Sequence, residues 1–298
     1  MSSTRDWILV FGTRMVPRAR LRAGLVGPRL LLSAGLVVVG IFVLVTILAP
    51  AIAPHDPTAA TDGGRLQPPG EKNFMGTDQL RRDVFSRVLY GGRIPLLVAI
   101  VSCAISLSTG TILGWLSGFL GGRIDRGLSL VMDAIYSFPA LVLAIAIVAM
   151  LGPGLVNMTA AIAFVYIPAY FRVARGQTLV IRAQEYVEAA RAAGASTLRV
   201  LGRHVAPNTL SAVMTVPSFN IADAIVTEAA LAFLGFGLPP PTPDWGFDIQ
   251  NGQRFLQSGF WWLITFPGLV IVLLSLGFGM IGEGVNDLLN PRRRRVAG

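Results

Sequence analysis

The sequence is poor in charge and in cysteine, and it contains a single lysine, Lys72. Charged residues make up 14% of the 298 residues, whereas soluble domains carry about a quarter. Hydrophobic residues make up 53%, and the mean hydropathy is +0.63. One globular core cannot hide so many apolar side chains, so we expect lipid to solvate part of the chain. The lone cysteine, Cys103, excludes an intrachain disulfide.

The scarcity of lysine, histidine and cysteine also argues against several kinds of chemistry. A phosphate-binding P-loop needs Gly-Lys followed by Ser or Thr, but Lys72 is followed by Asn73. The two histidines, His55 and His204, form no paired metal-ligand motif. The sequence neighbours of His204 provide no nucleophile for hydrolysis. We therefore predict a chain that is not an enzyme, does not hydrolyse ATP and binds no metal or cofactor.

Six apolar stretches are candidates for membrane-spanning helices. A bilayer core needs about 20 apolar residues in helical conformation. The first stretch is too long for the apolar region of a signal peptide, and Pro54 would directly follow the apparent cleavage site. The predicted spans are 30–53, 94–119, 128–151, 155–171, 210–238 and 261–281.

The distribution of arginine predicts the orientation of these spans. With a cytoplasmic N-terminus, most of the 25 basic residues lie on the inner side, as the positive-inside rule requires. The fold is therefore predicted to be all-α with both termini cytoplasmic. Four outer arginines interrupt the pattern, and an amphipathic helix on the outer surface would accommodate them. They are Arg81, Arg82, Arg87 and Arg93.

These features divide the chain into segments. A basic cytoplasmic arm precedes the first span, and a long extracytoplasmic loop separates that span from a five-helix core. A basic cytoplasmic tail ends the chain. The predicted segments are the arm 1–29, the first helix 30–53, the outer loop 54–92, the core 93–290 and the tail 291–298.

The cytoplasmic stretch 172–207 is predicted to form two short helices around a break. Glu185 lies in the first turn of the first helix, where it faces the helix dipole favourably. Gly194 provides a left-handed stop. The apolar flank of this helix would consist of Tyr186, Val187, Ala190 and Ala193.

The second helix would begin at Ser196 as N-cap and end at Pro207. Its apolar side would carry Leu198, Leu201 and Val205. A helix pair held between two spans presents a small projection that can dock in a groove of another protein. If that partner moves, the attached spans move with it.

The run Glu188-Ala189-Ala190 with Gly194 and Pro207 resembles the EAA signature of permease subunits of binding-protein-dependent ABC importers. The wider stretch 185–208 resembles the second-permease type of the dipeptide, oligopeptide and nickel subfamily, with Ala206 where leucine is usual. The resemblance implies an ATPase-coupling role for the following residues. They are Glu185, Glu188, Ala189, Ala190, Gly194, Arg199, Arg203, His204 and Pro207.

Three further blocks extend the resemblance over residues 30–291. The outer-loop block 76–91 is similar to the subfamily's pattern, with Arg81 where glycine is usual. The third-span block 133–141 and the block 228–246, across the fifth span and the next outer loop, are similar as well.

The resemblance implies the type I ABC importer fold in the bacterial inner membrane. It implies contact with the lipid bilayer and three kinds of protein partner. These are ATPase chains, a homologous permease chain and an extracytoplasmic substrate-binding protein. ATP and Mg²⁺ would bind the ATPase chains only. The implied cargo is di- or oligopeptides, with nickel chelates or heme-like molecules as alternatives.

Acidic residues inside the predicted spans are candidates for function, because a charge in hydrocarbon costs about 3 kcal/mol on insertion scales. Asp133 lies near the cytoplasmic end of its span and could pair with an arginine. Asp223 and Glu228 are candidates for the translocation path, and Asp223 could meet the amine of a peptide. Five residues apart, these two point about 140° away from each other around a helix.

Two other classes of protein remain as alternatives. An ion-coupled secondary transporter commonly shows internal repeats, and we find none between the two halves. A nucleic-acid binder could use the helix-turn-helix-like stretch 189–204. That stretch is tethered between two spans, so we predict no nucleic-acid partner.

Overall fold

The computed structural model describes residues 27–289, and their regular elements are helices. Most of the predicted arm 1–29 and the whole tail 291–298 lie outside the described residues. The helices are α1 Pro28–Ile52, α2 Val84–Gly91, α3 Arg93–Leu120, α4 Gly122–Tyr136, α5 Ala140–Leu151, α6 Leu155–Arg182, α7 Glu185–Ala192, α8 Thr197–Val200, α9 Ala206–Val213, α10 Pro217–Phe233, α11 Trp245–Gln253 and α12 Trp262–Leu289. A π-helical turn, Leu201–Val205, joins α8 to α9, and a 3₁₀ turn, Leu256–Ser258, precedes α12.

The all-α prediction is confirmed for the described residues, and the predicted six spans lie at the upper end of the four to six that these helices allow. Four helical segments are individually long and apolar enough to cross a bilayer. Two bent helix pairs bring the number to six when each pair counts as one span. The four single segments are Arg29–Ile52, Val84–Leu120, Leu155–Arg182 and Trp262–Leu288.

The predicted third span, 128–151, is wrong as a single helix. The backbone turns by 91° between α4 and α5. Pro139 lies at the break, where it lacks an N–H and disfavours helical conformation in Phe138. The predicted fourth span ends too early, because α6 continues to Arg182.

The predicted fifth span, 210–238, is also divided. The chain bends by 54° between Thr197–Val213 and Pro217–Phe233. Pro217 occupies the first turn of α10. Proline is tolerated there, because the N–H groups of the first turn have no partner within the helix. Helix α10 ends at Phe233, and Gly235 follows with a φ of +90°.

Helices α3 and α6 form the centre of the bundle, and small residues bring them close together. A Cβ atom at Gly110 would lie 2.5 Å from the carbonyl oxygen of Ile167, and one at Gly114 would lie 2.7 Å from that of Phe171. Ser106 donates a hydrogen bond to the Ala163 carbonyl across the same interface. The small-residue spacing, repeated at Gly118, is typical of close helix packing in membranes.

Helices α1 and α12 run antiparallel and bring the two ends of the described chain to one side. A Cβ atom at Gly35 would lie 2.7 Å from the Gly277 carbonyl oxygen, and one at Gly284 would lie 2.7 Å from the Leu32 side chain. The beginning of α1 therefore lies beside the end of α12. This agrees with termini on the same face of the membrane.

The outer arginines do not lie on an amphipathic helix at the outer surface, contrary to what the sequence suggested. Helix α2 is mostly buried, and Arg82 and Arg87 are 3% and 2% exposed. Arg82 pairs with Asp78 at 2.6 Å, and Arg87 pairs with Asp248 at 2.6 Å. Ion pairing and hydrogen bonding inside the folded outer loop offset the cost of burying these charges.

Candidate coupling loop and translocation path

The predicted break in the cytoplasmic loop is formed by Gly194. Its φ is +84°, a left-handed conformation that favours glycine. The N–H of Gly194 donates to the Arg191 carbonyl, and the N–H of Ala195 donates to the Ala190 carbonyl. These two bonds form a Schellman motif that satisfies the last carbonyls of α7. Ser196 occupies the N-cap position of α8, but its side chain makes no capping hydrogen bond.

The apolar sides of the two short helices are smaller than predicted. Val187, Leu201 and Val205 are buried, as expected, together with Val200 and Phe119. Ala190 is partly buried against this cluster. Tyr186 and Leu198, predicted on the apolar sides of their helices, are 46% and 78% exposed. Ala193 is also exposed. The loop therefore presents large apolar side chains outward next to its charges.

Pro207 does not end the second helix. It lies in the first turn of α9, directly after the π-helical turn Leu201–Val205. A proline is tolerated in the first turn of a helix, because its N–H would have no intrahelical partner there. The helical path therefore continues from the cytoplasmic loop into the fifth span.

The residues with a predicted ATPase-coupling role lie between α7 and the start of α9. Most of them are exposed, and Ala190 and His204 are partly buried. The exposed members are Glu185, Glu188, Ala189, Gly194, Arg199, Arg203 and Pro207. We define this set with Tyr186 and Leu198 as the coupling surface.

Residues that the sequence did not single out attach the coupling surface to the bundle. Arg182 Nη1 donates to the Gly118 carbonyl at 2.6 Å, at the end of α3. The guanidinium of Arg191 lies 4.9 Å from the centre of the Phe119 ring. Trp115 Nε1 donates to Thr209 Oγ1 at 2.7 Å, which ties α3 to α9. No local motif marks these contacts, because each joins residues far apart in the sequence.

The acidic residues of the spans have three different environments. Asp133 accepts a hydrogen bond from Arg172 Nη2 at 2.9 Å, as its position near the cytoplasmic end suggested. Asp223 is exposed on α10 and lines a cavity. Glu228 is completely buried beside Asp244 of the outer loop. Asp223 and Glu228 therefore face different surroundings, as their spacing predicted.

Glu228 and Asp244 form a buried pair of carboxyl groups. Both Glu228 oxygens and Asp244 Oδ2 have no other hydrogen-bond donor among the described residues. An ionised carboxylate can only accept hydrogen bonds. Glu228 and Asp244 can therefore form a hydrogen bond with each other only when one of them is protonated. Burial raises the pKa of Asp244, while the hydrogen bond from the Phe247 N–H lowers it to a lesser extent.

The fold is that of a multi-pass helical membrane protein. Residues 110–295 match the family described as binding-protein-dependent transport system inner membrane component. Residues 31–69 match the N-terminal transmembrane domain of oligopeptide transport permease C. The chain belongs to the binding-protein-dependent family, which confirms the resemblance seen in the sequence. As a permease subunit it is non-catalytic, and ATP hydrolysis belongs to a separate chain.

Similar proteins support this assignment. The chain is 42% identical over 256 residues to a probable D,D-dipeptide transport system permease of Escherichia coli (strain K12), with 86% of each chain covered. It is 39% identical to a di/tripeptide transport system permease of Pseudomonas aeruginosa, with 88% of each covered. An inward-facing structure of the MetNI methionine ABC transporter shares the fold, with a TM-score of 0.56 at 16% identity. That match covers 69% of this chain and 97% of the other.

Proposed function

We propose that this chain forms half of the translocation path of an ATP-driven importer for di- or oligopeptides in the bacterial inner membrane. The names of the relatives in E. coli and P. aeruginosa support a peptide cargo. A homologous permease chain would form the other half, and an extracytoplasmic binding protein would deliver the cargo. The arginine distribution supports an orientation with both termini cytoplasmic.

In this proposal, the partner ATPase chains bind ATP and Mg²⁺, and they also bind the coupling surface of this chain. The observation that carries the proposal is the outward exposure of Leu198 and Tyr186 beside Glu185, Glu188 and Arg199. Leu198 is 78% exposed and Tyr186 is 46% exposed, and an ATPase chain seated on the loop would cover this apolar surface. A projecting helix pair of this kind suits a groove on another protein.

The contacts beneath the surface provide a route for movement into the spans. Val187, Val200 and Val205 pack together with Phe119 at the end of α3. Arg182 ties the end of α6 to the same place, and the second short helix continues into α9. A displacement of the coupling surface would therefore be passed to the second, fourth and fifth spans of the topology as rigid-body motion.

The experiment is ATPase activity of the importer reconstituted in proteoliposomes with binding protein and peptide. The variant Glu188→Lys reverses a charge on the coupling surface, and Glu283→Lys reverses an exposed charge on α12. We expect E188K to lose most of the peptide-stimulated activity while E283K keeps it. Equal activity in the two variants, with both chains inserted in the membrane, would remove the proposed role of the coupling surface.

A further inference from the structure

A cavity of about 300 Å³ lies beside the break between α4 and α5 and is lined by residues of these two helices, α6 and α10. Aromatic residues contribute much of its wall, and Asp223 and Asn220 provide its polar groups. The aromatic members are Tyr136, Phe138 and Tyr166. This volume is at the lower end of the range for small-molecule sites, which is about 300–1,000 Å³. We refer to it as the Asp223 pocket.

The carboxylate of Asp223 has no partner within the part of the chain that the structure describes. It forms no ion pair or hydrogen bond with a described residue. None of the residues lining the pocket is basic. An unpaired carboxylate in a membrane-spanning helix is costly and marks a substrate or ion path by default. A positive charge that pairs with Asp223 would therefore come from outside the described residues.

Arg172 lies behind the pocket wall, against Tyr136, and its charge is already paired. The guanidinium of Arg172 pairs with Asp133 at 2.9 Å and lies 3.8 Å from the centre of the Tyr136 ring. Arg172 therefore holds the Tyr136 ring in place, and its positive charge is neutralised by Asp133. Tyr166 is fixed in a similar way, because its hydroxyl bonds with Thr227 Oγ1 at 3.0 Å. The aromatic wall is held in place without neutralising Asp223.

Asn220 precedes Asp223 by one helical turn, so both lie on the same face of α10. The Nδ2 atom of Asn220 is buried and makes no well-formed hydrogen bond to a described residue, although Tyr170 lies close enough to interact with it. Together, Asp223 offers a charged acceptor and Asn220 offers a donor. An ammonium group beside an amide carbonyl would match this pair.

We propose that the Asp223 pocket is a transient binding site for the ammonium end of the cargo during translocation. The aromatic faces attract the cation, the carboxylate of Asp223 pairs with it, and Asn220 donates to the adjoining peptide carbonyl. This inference rests on the proposed function. It adds a site for one chemical group inside the membrane, in addition to selection by the binding protein.

The test uses the complete importer in proteoliposomes with dialanine as the probe. The variants are Asp223→Asn, the conservative Asp223→Glu, and Asp62→Asn as a control carboxylate-to-amide change in the exposed outer loop. We expect D223N to lower the maximal rate of dialanine uptake by about tenfold or more, the usual effect of removing a charged hydrogen-bond partner. D223E should recover part of the rate, and D62N should match the wild type.

A second measurement separates binding from folding and assembly. In nanodiscs without binding protein, saturation-transfer NMR should detect dialanine on the wild-type complex, but not N-acetyl-dialanine and not dialanine on D223N. Wild-type uptake in D223N would overturn this site while leaving the proposed function intact. Loss of the partner permease from purified D223N would assign Asp223 to a subunit contact and also overturn it. If the wild-type complex takes up no peptide at all, the proposed cargo fails first.

Discussion

Arg87 and Asp248, which are 161 residues apart, form a buried ion pair on the extracytoplasmic side of the bundle. Arg87 Nη2 donates to Asp248 Oδ1 at 2.6 Å, and its Nε donates to the same carboxylate at 3.0 Å. The third nitrogen, Nη1, donates to the carbonyls of Pro57 and Pro241. One guanidinium thus joins α2, α11 and two segments of outer loop.

Replacement of Arg87 by alanine should destabilise this outer assembly. Asp248 would keep a buried charge without a partner, and breaking a buried pair in this way costs about 3–5 kcal/mol. The measurement is thermal unfolding of the purified chain in detergent. The control is Arg65→Ala, because Arg65 is exposed in the same loop. Equal melting temperatures of R87A and R65A would contradict a stabilising role for the pair.

The buried acid pair should make the stability of the outer region depend on pH. Because burial raises the pKa of Asp244 in the folded chain, its protonated form favours folding. That contribution is complete below the unfolded-state pKa, about 3.9, and is lost as pH rises through the raised folded-state value. Asp244→Asn keeps an N-cap acceptor for Phe247 but carries no charge.

We therefore expect D244N to become more stable relative to the wild type as pH increases from acid to neutral. The free energy of unfolding of both proteins is measured across that range, with Asp62→Asn as a control that should follow the wild type. A difference between D244N and wild type that stays constant with pH would show that the pKa of Asp244 is the same in the folded and unfolded chain, and would contradict the effect of burial.

The contact between α3 and α6 should not tolerate a side chain at Gly114. A Cβ there would lie 2.7 Å from the Phe171 carbonyl oxygen and 2.8 Å from the Ala174 side chain. Gly114→Val should therefore lower stability by about 1–3 kcal/mol, as over-packing generally does. Gly176→Ala on α6 is the control, since a Cβ there meets nothing within 4 Å. Resistance to proteolysis in membranes would report the difference, and similar resistance in both variants would be evidence against close packing.

Gly194 and Gly202 offer a matched pair for testing the break in the coupling loop. A Cβ at either position meets nothing within 4 Å, but only Gly194 of the two has a positive φ. Gly194→Ala should strain the backbone by about 1–2 kcal/mol and weaken peptide-stimulated ATPase activity, whereas Gly202→Ala should leave it near the wild-type level. Unchanged activity in G194A would mean that the left-handed turn is dispensable for coupling.

Local sequence signals predicted six apolar stretches, the break at Gly194 and the burial of Val187 and Val205, because these depend on hydropathy, helical periodicity and backbone preference. They did not predict the breaks inside the third and fifth stretches. The prolines at 139 and 217 contain the signal for the two bends, but the angles of 91° and 54° depend on packing against neighbouring helices. The small-residue repeat from Gly110 to Gly118 is visible in the sequence and is the local signal for the close contact between α3 and α6.

Contacts between distant residues could not be predicted in this way. The pairing of Arg87 with Asp248 and the meeting of Glu228 with Asp244 require the folded outer loop. The outward position of Leu198 is a different case. Its spacing from Leu201 and Val205 suggested a shared apolar side, but the π-helical turn changes the register between them.

The most direct test of the account is site-specific cross-linking from the coupling surface. A photo-reactive amino acid replaces Leu198 in one variant and the exposed Phe74 of the outer loop in another. Each is assembled into the complete importer in membranes and irradiated. The account predicts an adduct between position 198 and an ATPase chain and none from position 74. Adducts of position 198 with lipid alone, in an assembled and active complex, would contradict it.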